Sequence, residues 1–124
     1  MKKILIALSA FSSLLVPIAA IAHHSFADYD DKKKLTLTGT LTEVEFRNPH
    51  IRLGMDVKRG GKVEQWEFSG PSPIDWRREG WVKSDFVVGQ PLTITGFPKR
   101  DGSKHLSVNI LKNAAGKTFG QEVK

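Results

Sequence analysis

Four histidines, His23, His24, His50 and His105, are the residues of this chain best suited to chemistry, and no cysteine accompanies them. His23 and His24 are adjacent and directly follow an uncharged, largely apolar stretch from Ile4 to Ala22. If the chain is cut after Ala22, His23 offers its α-amino group and its imidazole as a chelating pair, and His24 adds a second imidazole. His50 would complete a set of three or four nitrogens, which suits Cu(II) and, less selectively, Zn(II) or Ni(II). The α-amino group, with an unperturbed pKa of about 7.7 to 8.0, must lose its proton to bind, so affinity should fall below neutral pH. A cut after Ala20 would instead place His23 third, where deprotonated amides join the imidazole in holding Cu(II) or Ni(II). The opposing reading is a solvated His23-His24 pair and a His50 that simply opens a strand after Asn48-Pro49. His105, beside the Asp101-Gly102 turn, reads as a surface residue.

A second chemistry is recognition without metal. Arg47, Arg52 and Trp76 could mix charge with stacking for an oligosaccharide, peptide or protein of the cell envelope, with Trp66 and Glu64 or Glu67 beside them. Trp66 is better suited to the core, since tryptophan is highly buried on average and a domain this small needs bulk. Trp76, lying off the face shared by Ile74 and Trp81, is the better candidate for exposure. Enzymatic readings are weakest. Ser25 and Ser72 lack a nucleophile elbow, no phosphate loop is present, and Asp28, Asp30 and Asp31 lack EF-hand spacing.

The elements that would position these groups begin with a leader. Lys2 and Lys3, the apolar run and the Ala20-Ile21-Ala22 motif form the pattern of a cleavable secretory signal over residues 1–22. An uncleaved anchor is the alternative, because the run is just long enough to span a bilayer. Cleavage leaves residues 23–124, one domain's worth, with no stable membrane insertion and a periplasmic or secreted location. Without cysteine, hydrophobic packing must hold the fold in an oxidising compartment. The net charge of +6 falls by two when Lys2 and Lys3 leave. That mild basicity is short of a nucleic-acid footprint, and export removes the usual nucleic-acid partners.

After an N-terminal segment over residues 23–34, the barrel region spans 35–112. Leu35, Leu37, Gly39 and Leu41 alternate with threonines, and the apolar phase then shifts to Val44 and Phe46, which requires a β-bulge near Thr42-Glu43. Ile51, Leu53, Met55 and Val57 mark a second strand. Arg59-Gly60-Gly61 turns it into a third ending at Phe68, so residues 50–68 form a hairpin. Ser72, Pro73 and Asp75 make a capping box for a short helix stopping at Gly80, with Ile74 and Trp81 closing one end of the core. Leu92, Ile94 and Gly96 give a fourth strand. After the Asp101-Gly102 turn, Leu106, Val108 and Ile110 give a fifth. Residues 113–124 read as a flexible tail.

Strand, strand, strand, short helix, strand, strand is the order of a mainly β, five-stranded OB-like barrel, with another small β-barrel or roll as the alternative. Ala22-His23-His24-Ser25-Phe26, the Thr38-to-Glu43 segment, Asn48-Pro49-His50, Gly80-Trp81 and the Gly89-to-Gly96 strand together resemble a family of small exported bacterial proteins known only as a domain of unknown function. The resemblance covers about residues 22–111 and implies export and a β-barrel. It implies no activity or ligand. The histidine pair resembles, separately, the histidine brace of some periplasmic copper proteins.

Overall fold

The computed structural model describes residues 24–120. The leader, His23 and the last four residues lie outside this range. The barrel is built from β1 (Leu35–Glu45), β2 (Arg52–Arg59), β3 (Lys62–Ser69), β4 (Pro91–Pro98) and β5 (His105–Asn113). β1 pairs antiparallel with β2 on one side and β4 on the other, β4 pairs with β5, and a short parallel pairing of β3 with β5 closes the ring. This is the OB-type barrel expected from the order of elements.

β1 can serve two neighbours because it bends. Leu41 faces Met55 and Glu43 faces Gly54, leaving Thr42 as the extra residue of a bulge where the apolar phase shift required one. Before the bulge, Leu37 and Leu41 point inward, while Thr36 and Thr38 share hydroxyl hydrogen bonds with Thr95 and Thr93 at 2.8 and 2.9 Å on the outside. The β2–β3 hairpin turns on Gly60 and Gly61, whose φ values of 56° and 77° suit a two-residue turn of the primed type.

α1 (His24–Ala27) is a single turn ahead of β1, and α2 (Pro73–Arg78) sits between β3 and β4. α2 is capped as its sequence demands: Ser72 Oγ accepts from Asp75 N–H at 3.4 Å and donates to Asp75 Oδ2 at 2.6 Å, and Gly80 leaves the helix at φ 81°. Among the described residues no helix is long and apolar enough to cross a membrane.

The buried face of α2 differs from the one expected. Ile74 is 54 % exposed and Trp76 is fully buried, so Trp76 has no face to offer a ligand. In so short a helix the bulkiest side chain takes the core. Trp76 meets Trp81 and Phe86 edge-on at 5.5 and 5.4 Å and stacks on Phe119 at 4.0 Å. Burying an indole of this size contributes roughly 4–6 kcal/mol before entropic costs. Trp81 is buried, as expected.

Two further expectations are corrected. The alternation Leu106, Val108, Ile110 breaks, because Thr95 faces Ile110 while Gly96 faces Val108, leaving Asn109 unpaired. Beyond that second bulge Leu111, not Ile110, is fully buried. The tail is also held as far as Gly120. β6 (Thr118–Phe119) pairs with Leu111 and Lys112, and Lys117 Nζ donates to Asp85 Oδ2 at 2.8 Å and to Gly80 O at 2.6 Å.

Candidate functional site

The outer face of the barrel carries a row of residues that are direct cross-strand neighbours. Glu43 on β1 faces Gly54 on β2, Gly54 faces Glu67 on β3, and Glu67 faces His105 on β5. Lys99 N–H then donates to His105 O at 3.1 Å, extending the row onto the end of β4. Gly54 has no side chain, so the middle of the row is low. The bulge raises one wall, since Thr42 and Glu43 are consecutive and both exposed. The β4–β5 loop raises the other. Ser103 N–H donates to Asp101 Oδ1 at 2.9 Å, Gly102 turns the chain at φ 79°, and Glu67 N–H donates to Lys104 O at 3.0 Å. Between the walls lies an open cleft of about 590 Å³, floored in part by Met55 and Trp66 and otherwise polar, with Thr42, Glu43, Gln65 and Glu67 on the strands, Lys99, Asp101, Ser103 and Lys104 on the loop, and His105 at its end. That volume suits a small ligand.

His105 lies at the loop end of this cleft with 14 % of its side chain exposed. Its Nε2 lies 2.7 Å from Ser69 Oγ and 3.0 Å from Tyr29 Oη, and its Nδ1 lies 3.5 Å from Glu67 Oε2. Burial, followed by the nearby charge of Lys99, lowers its pKa below the usual value despite Glu67. Burial thus favours the neutral imidazole, and with its proton on Nδ1 the single lone pair of Nε2 accepts from one of the two hydroxyls. Carboxylate, imidazole and serine stand in the order of a nucleophilic triad. Ser69 is not among the residues lining the cleft, however, and Tyr29 occupies the other approach to Nε2. The cluster instead pins the segment before β1, which is laced to the end of β4 by Asp30 N–H to Pro98 O and Arg100 N–H to Asp28 O, both at 2.8 Å.

Trp66, beneath the cleft, is 6 % exposed, as a core role requires. Its indole N–H donates to Glu64 Oε2 at 2.9 Å, and the Arg59 guanidinium lies 5.7 Å from its ring centroid. That hydrogen bond, aided by Lys104 and Arg59, lowers the Glu64 pKa.

A family profile described as a family of unknown function (DUF6152) matches residues 12–108. The chain belongs to the DUF6152 family. No curated protein matches it. Among solved structures, this DUF6152 chain is similar to the crystal structure of a ZRD-deleted mutant of TiaS in complex with agmatine. The two are 14 % identical with a TM-score of 0.48, and the match covers 77 % of this chain and 24 % of the other. The chain thus spans about a quarter of that protein.

The residues singled out from the DUF6152 sequence sit on different elements of this fold. His23 lies outside the described residues, and His24 opens α1. His50 is exposed just before β2, where Ile51 N–H donates to Pro71 O at 3.0 Å. Among the described residues no hydrogen bond or ion pair reaches the His50 side chain, and no three His, Asp or Glu side chains gather as a metal set. Arg47 is exposed and pairs with Glu45 at 3.2 Å, and Arg52 pairs with Glu67 at 3.5 Å at the edge of the cleft. Gly54, Tyr29, Ser69 and the half-buried His105 were not foreseen. An isolated glycine between Arg52 and Asp56 on an outward strand face was the available signal, since such a residue marks a close approach or a hollow.

Proposed function

We propose that this chain is an exported binding module whose ligand, a polar component of the cell envelope, lies across β2 and β3 against the β4–β5 loop. The observation that carries this reading is the hollow at Gly54, walled by a bulge on one side and a hydrogen-bonded loop on the other. OB-type barrels use this face and this loop for ligands. Oligosaccharide, peptide and protein segments all fit the chemistry of a cleft lined by carboxylates, ammonium groups, an amide and hydroxyls. The test is to fill the hollow. In Gln65→Trp, at an exposed residue lining the cleft, amide chemical-shift changes produced in the cleft by a short peptide or a neutral tetrasaccharide should vanish while the melting curve stays cooperative. Unchanged perturbations in the filled variant would overturn the reading.

The metal reading rests on a separate feature, the adjacency of His23 and His24 behind a processing motif. It makes the mature N-terminus a copper ligand independent of the cleft, with His50 as the third contributor. Its test is a Cu(II) titration of protein beginning at His23.

A further inference from the structure

Of the charged side chains on the cleft walls, most already have partners. Glu67 pairs with Arg52, Asp101 accepts from Ser103 N–H, and Lys104 lies 3.7 Å from Glu64. Glu43 and Lys99 differ. Among the described residues neither takes part in any side-chain hydrogen bond or ion pair, yet both line the cleft. They stand at opposite ends of the row Glu43, Gly54, Glu67, His105, Lys99, so an unpaired carboxylate marks one end and an unpaired ammonium the other.

Four steps between neighbouring strands at about 4.8 Å each separate these ends by roughly 19 Å along the surface. An extended chain advances about 3.3 to 3.6 Å per residue, so a peptide of about five or six residues covers that length, and somewhat fewer cover it if the chain cuts across the curve of the barrel. A single amino acid is too short. The cleft also offers the Gln65 amide and, beside Glu43, the Thr42 hydroxyl, both unpartnered among the described residues, which match the donors and acceptors of a peptide backbone. Saccharide recognition would favour an open aromatic ring, and Trp66, although it lines the cleft, is only 6 % exposed and offers little face for a sugar to stack on.

We infer that the ligand is an extended oligopeptide with free termini, its ammonium on Glu43 and its carboxylate on Lys99. This inference rests on the cleft being the binding site. Direct charge-assisted contacts of this kind are the strong class of hydrogen bond and set orientation as well as affinity.

The experiment is isothermal titration and amide chemical-shift mapping of the chain from His23 onward. The probes are a glycine- and serine-rich hexapeptide in four forms (free, N-acetylated, C-amidated and doubly blocked) and a neutral tetrasaccharide. Free peptide should bind in the cleft, and each single block should weaken it about tenfold. Glu43→Gln should bind free and acetylated peptide alike, and Lys99→Gln should bind free and amidated peptide alike, because each variant removes the group that reads that terminus. Equal cleft binding of free and doubly blocked peptide, or binding of the tetrasaccharide alone, would overturn the oligopeptide assignment and leave the cleft standing. Shift changes confined to another face would overturn the site itself.

Discussion

Replacing Phe119 tests whether the chain after the fifth strand belongs to the core. Phe119 stacks on the fully buried Trp76 at a centroid distance of 4.0 Å and is itself partly buried. A fully buried Phe→Ala change costs about 3–5 kcal/mol. Partial burial takes about half of that, and the lost stacking adds about 0.5–1.5 kcal/mol. Phe119→Ala should therefore destabilise by about 2–4 kcal/mol, equivalent to a fall in melting temperature on the order of 10–30 °C in a domain of this size. Urea unfolding followed by tryptophan fluorescence measures it, with the denaturant slope unchanged. Phe26→Ala, at a residue 74 % exposed, is the control and should shift stability by no more than about 0.5 kcal/mol. If Phe119→Ala behaved like the control, residues 114–120 would be a tail after all and the aromatic cluster would end at Phe86.

His105 has a folded-state pKa below its ordinary value of 6.5, chiefly through burial and then through Lys99. The unfolded chain therefore binds a proton that the folded chain resists, and the stability this residue contributes is complete above pH 6.5 and lost as pH falls through the lowered folded value. Urea midpoints between pH 8 and 5 should decline less steeply in His105→Gln than in the parent; parallel curves would contradict the assignment. Asp85 works in the carboxylate range: burial opposes ionisation, but hydrogen bonds from Lys117 and Val82 N–H outweigh it and lower its pKa below 3.8. Its contribution is complete above pH 3.8 and lost below, so the acid limb of unfolding should flatten in a Lys117→Met, Asp85→Asn double variant. Gly39→Ala and Gly96→Ala should each cost about 1–3 kcal/mol, because a methyl group would overlap the backbone carbonyls of Asp56 and Ser107 respectively. Chemical denaturation checks both, and a neutral result at either would mean that the strands yield there without cost. Cu(II) should bind protein beginning at His23 with submicromolar affinity and weaken below neutral pH, and His23→Ala should lose that binding. Equal binding by the variant would remove the N-terminal metal proposal.

Strand phase was legible wherever one face was buried and the other was polar. β1 shows this best, because four threonines opposite leucines leave only one face for the core, and the later shift to Val44 demands an extra residue. The Ser72, Pro73 and Asp75 cap was legible for a local reason, since its hydrogen bonds close within three residues. Trp76 was not. A helical wheel ranks faces by apolar content over several turns, and α2 is only six residues long. The choice between Ile74 and Trp76 is made by Phe86, which lies beyond the end of the helix, and by Phe119, which arrives from a distant part of the chain. The hold on the tail failed to show for the same reason: Lys117 is an ordinary surface lysine until the fold brings Asp85 to it.

The two bulges explain why the candidate site was only half visible. A bulge that changes phase between two clear apolar runs can be inferred, and the one at Thr42 was. The one at Asn109 hides because Ile110 and Leu111 are both apolar, so either can be counted inward. His105 was read as exposed beside a polar turn, but its burial comes from Tyr29, a residue far away in sequence that the Lys99 pairing lays over it. What a bulge does to side chains matters more for function than what it does to the strand. At Thr42 it turns two consecutive polar residues outward opposite a glycine, making a wall beside a hollow in a surface that regular pairing would leave even. A break in alternation on one strand, facing a lone glycine in the outward register of the next, is thus a sequence-level pointer to a binding cleft. In this chain that pair is Thr42-Glu43 and Gly54.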